Sequence, residues 1–249
     1  MNFDTTSAQP RRNLAQEIVS LLRHDIISGA FQPGEALAEP VLAKRFGVSR
    51  APVREAMIEL ERAGLVQFEA SGRTRVRTLE EKDIVEIVEA RIALESMGAR
   101  LAARRWTEEH TRWIERNLAA QENARTPQEF SELDVALHVF IMHSSGNERL
   151  IALWQCIRWQ FEMALTHVHH VQEKLALDLR LFTMSGHRQL IEKLSARKPE
   201  EAAKMMTRHI EGLLEWFTSE PPETPTPSPN GLSKTTVLKK RTSRPMATA

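Results

Sequence analysis

One carboxylate and three imidazoles are the side chains of this 249-residue chain best suited to chemistry. Asp134 and His138 stand four apart in SELDVALHVFIMH, so on a helix both project from one face. Leu133, Leu137, Phe140 and Ile141 around them turn that face toward a core. His187 opens a later helical stretch, and His209 lies in MMTRHIEGLL with Met205, Met206 and Leu213 as apolar companions. An Asp and three His drawn from three helices can converge on a divalent ion. This donor set suits zinc first, with nickel, iron or manganese as alternatives; the chain offers no cluster of thiols and no all-oxygen set. Spacing alone leaves plainer readings open. An i,i+4 Asp–His pair is often a hydrogen bond on a helix surface, and a histidine near a helix end often caps it. His167, His169 and His170 form a poorer set, because adjacent positions point in different directions around a helix.

Holding four such groups together takes several helices, and the stretch from 83 to 217 reads as helical throughout. The apolar spacing predicts helices over 83–106, 108–123, 127–144, 148–170, 182–196 and 199–217. Breakers mark the joins at Thr126-Pro127, Ser145-Gly146-Asn147, Ser185-Gly186 and Lys198-Pro199. Apolar-faced helices with short connections make an antiparallel bundle. Trp154, Cys156 and Trp159 are expected to pack within it.

The front of the chain is organised differently. Ile18, Leu21, Leu22 and Ile26 define a helix over 14–29, a turn follows at Gln32-Pro33-Gly34-Glu35, and a short helix over 40–46 is broken by Gly47. In GVSRAPVREAMIELERAGLV, Ser49 is placed to cap a helix with Pro52 in its first turn, and Gly64 to end it. Val53, Ala56, Met57 and Leu60 make its buried stripe. Arg50 and Arg54 share another face near the positive end of the helix dipole, where phosphate oxygens and guanine edges are well received. Two helices, a tight turn and a third helix are the helix-turn-helix plan. From Val66 the period changes to two: Val66 and Phe68 alternate with polar residues, Ala70-Ser71-Gly72 turns the chain, and Arg73, Arg75 and Arg77 fall on one face of the return strand with Val76 opposite. This is a hairpin wing with a cationic side, suited to phosphate contact.

Composition bounds the function classes. The apolar share is 41% and the charged share 27%, ordinary for a globular protein. No run of about 18 apolar residues is present, so no membrane span is expected, and the polar start MNFDTTSAQPRRN is not a secretory signal. The lone Cys156 cannot form an internal disulfide and fits a reducing cytoplasm. Net charge is +1, unevenly spread: residues 1–79 hold 11 Lys+Arg against 9 Asp+Glu, and residues 80–218 hold 18 against 22. A basic front and an acidic middle are compatible with nucleic acid at the front alone.

The fragments I-x-x-G-x-x-x-P-G, F-G-V-S-R-x-P-V-R-E-A and L-x-x-x-G-L-V, spread over residues 14–78, closely resemble the winged-helix domain of the GntR family of bacterial transcriptional regulators. Where some relatives carry a DNA-contacting arginine this chain has Pro40, which moves that expectation to Lys44 and Arg45. The DNA-contacting set implied is Lys44, Arg45, Ser49, Arg50, Pro52, Arg54, Gly72, Arg73 and Arg75. Residues 83–217 resemble the all-helical effector domain of the FadR-like subgroup, through E-x-R-x-x-L-E at Glu89–Glu95, D-x-x-x-H, S-G-N at 145–147 and the two downstream histidines. Metal-binding members of that subgroup use an Asp and three His, and Asp134, His138, His187 and His209 match. The resemblance further implies open coordination positions for a carboxylate effector, with Arg91 pairing to it in bidentate fashion and Trp159 lining the pocket. The plainer partner for Arg91 is Glu95, its i+4 neighbour.

The expected fold is mainly α: a winged helix-turn-helix over 13–78, a linker at 79–82, and an all-α antiparallel bundle over 83–218 that binds effector and dimerises. Residues 1–12 and the Pro-rich, then basic tail 219–249 are expected to be disordered. The expected function is a cytoplasmic, homodimeric, ligand-responsive regulator, a repressor more often than an activator in such families. It would bind palindromic double-stranded DNA and answer to a small organic acid. Two other readings share these residues: a metal-dependent enzyme carrying a winged-helix module, and a sensor for which the metal is itself the signal.

Overall fold

Three short strands and nine helices are found among the described residues, in the order helix, strand, two helices, two strands, six helices. The computed structural model describes residues 11–175 and 180–218. The expected disordered stretches lie outside these residues except for Arg11 and Arg12, which begin the first helix. Of 166–175 only the backbone is described, so the His167, His169 and His170 side chains lie outside as well.

The front forms a three-helix unit with a small sheet. Helix α1 (Arg11–Ile27) buries Ile18, Leu22 and Ile26 against the stripe of α3 (Arg50–Arg62), whose Val53, Ala56, Met57 and Leu60 are fully buried. Burial of each such side chain stabilises by roughly 1.5–3 kcal/mol, which is why so short a helix holds its place. Helix α2 (Glu39–Phe46) ends at Gly47, and α3 ends in a Schellman motif. In that motif Gly64 N–H donates to Glu61 O and Leu65 N–H to Leu60 O, which needs the left-handed φ of +72° that glycine adopts freely at 64. Ser49 has the extended N-cap backbone, yet its hydroxyl makes no capping hydrogen bond.

Strands β2 (Val66–Phe68) and β3 (Thr74–Val76) form the expected hairpin. A strand missed by the sequence reading, β1 (Ala36–Leu37), pairs antiparallel with the other edge of β3, with Leu37 opposite Thr74. Two residues are too short to show a period, and their partner lies almost 40 positions away. The alternation of β3 is as expected, with Thr74 and Val76 buried and Arg75 facing out.

Six helices follow: α4 (Glu81–Arg105), α5 (Glu108–Asn123), α6 (Pro127–Ser144), α7 (Glu148–Leu175), α8 (Arg180–Ser195) and α9 (Pro199–Thr218). The expected linker is shortened at its end, because Glu80 caps α4 and residues 81 and 82 are already helical. Thr107 caps α5 by accepting from His110 N–H, and Thr126 caps α6 by accepting from Glu129 N–H with Pro127 next to it. Helix α4 is the central rod, packed against α6, α7, α8 and α9. Its small residues Ala99, Ala102 and Ala103 let the backbones approach, and Leu137, Ile141, Leu190, Leu194, Met206 and Ile210 close the core around it.

Ser185-Gly186 was expected to be a break and is not. Both lie within α8, so His187 sits eight positions into that helix rather than at its start. Cys156 is exposed on α7 and does not pack the bundle. Helix α7 also reaches the front unit: Met163 is buried in its core, Trp159 packs beside it, and Gln160 lies against Gly64. All of these elements belong to one compact unit.

Candidate functional site

Asp134, His138, His187 and His209 come together from α6, α8 and α9, all buried, with one ligand-type atom of each within 4.8 Å of the others. His138 Nε2 is 3.2 Å from His209 Nε2 and 3.7 Å from Asp134 Oδ1. His187 Nε2 approaches Asp134 Oδ1 to 2.9 Å. That approach lacks hydrogen-bond angles: both atoms are buried without a hydrogen-bond partner. A buried group left in this way costs about 1–3 kcal/mol, and more when charged, and a cation among the four would satisfy both atoms. The donor set fits one: three imidazoles and one carboxylate are ligand types that zinc takes.

Electrostatics prepare the same outcome. Burial pushes the His187 imidazolium down, against the opposing effect of Asp134, and pushes His209 well down, with His187 and His138 adding to the effect. Both shifts favour the neutral ring, the form that binds metal.

A ring of buried polar groups surrounds the four. Glu95 on α4 accepts from Arg91 Nε–H (2.5 Å) and Trp154 Nε1–H (2.9 Å) through Oε1, while its Oε2 lies 2.5 Å from His138 Nδ1. Burial would raise this carboxyl, but Arg91 and then His138 outweigh it and keep Glu95 ionised. On α5, Gln121 Oε1 lies 3.0 Å from His187 Nδ1, and Gln121 in turn donates to Asn117 Oδ1 (2.7 Å). Phe161 of α7 covers the group, edge-on to the His138 ring at 6.3 Å and beneath the Arg91 guanidinium at 3.3 Å.

The remaining expectations divide. Arg91 takes its plainer partner, Glu95, and is buried in that pair, with its Nη1 left unpartnered. Trp159 is not a pocket residue: it points to the front unit, where Arg23 stacks over its ring at 4.7 Å. The aromatic at the group is Phe161, two positions on, about 200° around the helix from Trp159. Sequence reading missed Asn117 and Gln121. Their signal was available, as two amides four apart on the face of α5 that also buries Ile114.

Gly186 shows why α8 tolerates a glycine mid-helix. A Cβ there would lie 2.8 Å from His209 Nδ1. Gly186→Ala gains about 1 kcal/mol of helix propensity but forces a displacement costing about 1–3 kcal/mol. A net loss of about 1 kcal/mol is expected in chemical denaturation, and a gain would contradict this packing.

On the front unit, Arg50 and Arg54 are exposed on α3, Lys44 is exposed at the end of α2, and Arg73 is exposed beside Gly72 at the wing tip, where φ is +78°. Pro52 is half-buried and Ser49 exposed in the first turn. Two expected contacts are engaged within the fold. Arg45 pairs with Asp25 at 2.8 Å and flanks Phe31 and Phe46, and Arg75 pairs with Glu69 at 2.6 Å and donates to Gly34 O. Arg77 ties the wing to α4 through Asp83 at 2.7 Å.

A winged helix joined to an all-α bundle with a buried Asp/His set is the build of a DNA-binding regulator, and the comparisons with known proteins agree. Residues 14–76 match the bacterial regulatory proteins of the gntR family and residues 86–212 match the FCD domain. The chain belongs to the GntR family, with an FCD domain as its helical part. It is similar to a probable D-xylose utilization operon transcriptional repressor of Paenarthrobacter nicotinovorans, 28% identical over 85% of this chain and 92% of the relative. It is equally similar to the HTH-type transcriptional repressor RspR of Escherichia coli, 28% identical over 86% of this chain and 98% of the relative. Among solved structures, Escherichia coli McbR/YncC shares the fold with a TM-score of 0.69 at 21% identity, over 82% of this chain and 96% of that one. The protein is therefore a DNA-binding transcriptional regulator and not an enzyme. Among the described residues no helix is long and apolar enough to cross a membrane.

Proposed function

We propose that this protein is a cytoplasmic, homodimeric repressor whose operator binding is set by a small carboxylate effector at a metal held by Asp134, His138, His187 and His209. The observation that carries the metal is the pair of buried, unpartnered atoms, Asp134 Oδ1 and His187 Nε2, facing each other at 2.9 Å. Zinc is the first choice, with nickel, iron or manganese next. When bound, the ion supplies a Lewis-acid anchor for an oxyanion. The chain's own contribution is Arg91: Nε and Nη2 are held by Glu95, and the buried Nη1 keeps spare N–H donors for the effector's carboxylate. Full burial of the four side chains favours a resident ion over a sensed one.

Two elements connect the metal group to the front unit. Helix α7 carries Trp154 and Phe161 at the group and Trp159, Gln160 and Met163 at the winged helix. Helix α4 carries Arg91 and Glu95 and is tied to the wing through Asp83. An effector that favours one packing of α7 shifts the population of DNA-competent front units by its differential affinity for the two packings. Met97 on α4 and Leu153 on α7, large apolar side chains left exposed, support self-association of the bundle. Two front units related by a two-fold axis then match a palindromic operator. The repressor names of the relatives support the sign of the response.

The test is to strip the full chain with a chelator, return zinc, and select operators from random duplex in both states while screening small organic acids. One ion per chain, a palindromic consensus, and release of that duplex by an acid only from the metal-loaded protein are expected. Zinc binding that is absent, or acid release that needs no metal, would overturn the reading.

A further inference from the structure

We infer that Glu95 and Gln121 are positioning residues that set which nitrogen of His138 and His187 carries the proton, and so aim both Nε2 lone pairs at the Asp134 carboxylate. The inference rests on the metal reading of the four buried residues and adds the groups that hold two of them ready.

A neutral imidazole has one protonated and one bare nitrogen, and only the bare one can take a metal. His138 Nδ1 is 2.5 Å from Glu95 Oε2. Arg91 and Trp154 donate to Glu95 Oε1 and Arg91 Nη2 lies 3.3 Å from its Oε2, so the carboxylate accepts at both oxygens and His138 donates to it from Nδ1; in the neutral ring the bare nitrogen is then Nε2, the atom nearest Asp134 and His209. Glu95 is itself fixed, because its other oxygen is held by Arg91 Nε–H and Trp154 Nε1–H.

His187 is set by a different device with the same result. Gln121 could face it with either end of its amide. The Nε2 end is claimed by Asn117 Oδ1 at 2.7 Å and Leu133 O at 3.4 Å, and Asn117 is anchored by donating to the same Leu133 carbonyl at 3.1 Å. That leaves Gln121 Oε1, a pure acceptor, 3.0 Å from His187 Nδ1. His187 must donate from Nδ1, and its bare Nε2 faces Asp134 at 2.9 Å. This accounts for two amides buried in an otherwise apolar face of α5, where a core role alone would have favoured leucine. His209 has no such partner at Nδ1, so the three imidazoles are not equally prepared.

The experiment follows the ring nitrogens by long-range proton–nitrogen correlation in full-length protein stripped of metal, then measures zinc affinity by chelator competition. In the unaltered protein His138 and His187 are expected as the Nδ1–H tautomer. Glu95→Gln should move His138 away from it, and Gln121→Met should do so for His187 alone. Asn117→Leu, which removes no atom touching a histidine, should also mix the His187 tautomers by freeing the amide to turn. Gln121→Glu, which keeps an acceptor, should restore Nδ1–H. Zinc affinity should fall by about 10–100-fold in Glu95→Gln and Gln121→Met, the usual consequence of losing an outer partner. Should Glu95→Gln fail to fold, the near-isosteric Gln121→Met and the remote Asn117→Leu carry the test. Tautomers that stay Nδ1–H in these variants would overturn the inference even if they unfold at lower temperature, since a merely structural role predicts only the lower temperature. Tautomers that move as stated in a protein that binds no zinc, nickel, iron or manganese would uphold the positioning and sink the metal reading instead.

Discussion

Asp134→Asn is expected to weaken zinc binding by roughly 10²–10³-fold while leaving the helical content unchanged. Apparent binding energies of structural zinc sites, about 10–16 kcal/mol, divided among four ligands put each near 2.5–4 kcal/mol, which gives that range. The substitution keeps the shape of a side chain that is almost fully buried and removes only its charge, so it tests coordination rather than packing. Because the metal binds the folded chain alone, saturating zinc at 100 times its dissociation constant stabilises by about 2.7 kcal/mol. The thermal upshift that zinc gives the unaltered protein should therefore be largely lost in Asp134→Asn. Calorimetric titration and thermal unfolding with and without zinc check this directly. An unchanged dissociation constant, or an equal upshift in both proteins, would place the ion elsewhere. Alanine would be a poorer choice at His138, because it would leave the buried Glu95 carboxylate without one of its partners and confound metal loss with unfolding.

The second large effect concerns DNA. Arg50→Ala and Arg54→Ala should each cost about 1–3 kcal/mol of operator binding, as expected when an arginine at the front of a recognition helix reads a base edge. Both side chains are exposed at the N-terminal end of α3, whose opposite face is fully buried, so they can be removed without touching the core. Selectivity between operator and scrambled duplex should relax in the same variants. Lys44→Ala and Arg73→Ala should weaken both duplexes alike and lower the salt dependence by about one ion. Arg45→Ala is the contrast: its pairing with Asp25 and its place beside Phe31 and Phe46 predict a loss of stability as well. Fluorescence anisotropy at several salt concentrations separates these outcomes. Full affinity and selectivity in Arg54→Ala would mean that α3 does not lie against the bases.

Much of this molecule was legible in its residues, because the signals were local. The stripe of Val53, Ala56, Met57 and Leu60 repeats at the helical period and was bound to face inward. Gly64 and Gly47 end helices because a left-handed backbone suits them, and Arg75 alternates with Thr74 and Val76 because strands have period two. The D-x-x-x-H spacing put two of the four buried groups on one face of α6 before any packing was known. Local order of this kind depends on neighbours within a turn or two, and the chain carries that information along its length.

Tertiary packing decided the rest. Nothing within a few residues of Trp159 says that it faces the winged helix while Phe161 faces His138; rotation about α7 is set by what α1, α4 and α6 leave room for. Whether Arg91 would keep Glu95 depended on Trp154 and His138 arriving at the same carboxylate. Gly186 looked like a helix break until His209 came within 2.8 Å of the place its side chain would fill. The chain alone determined the helices and the residue types able to hold an ion. Only their assembly chose which atoms meet, because a buried contact is fixed by the shapes of several elements at once.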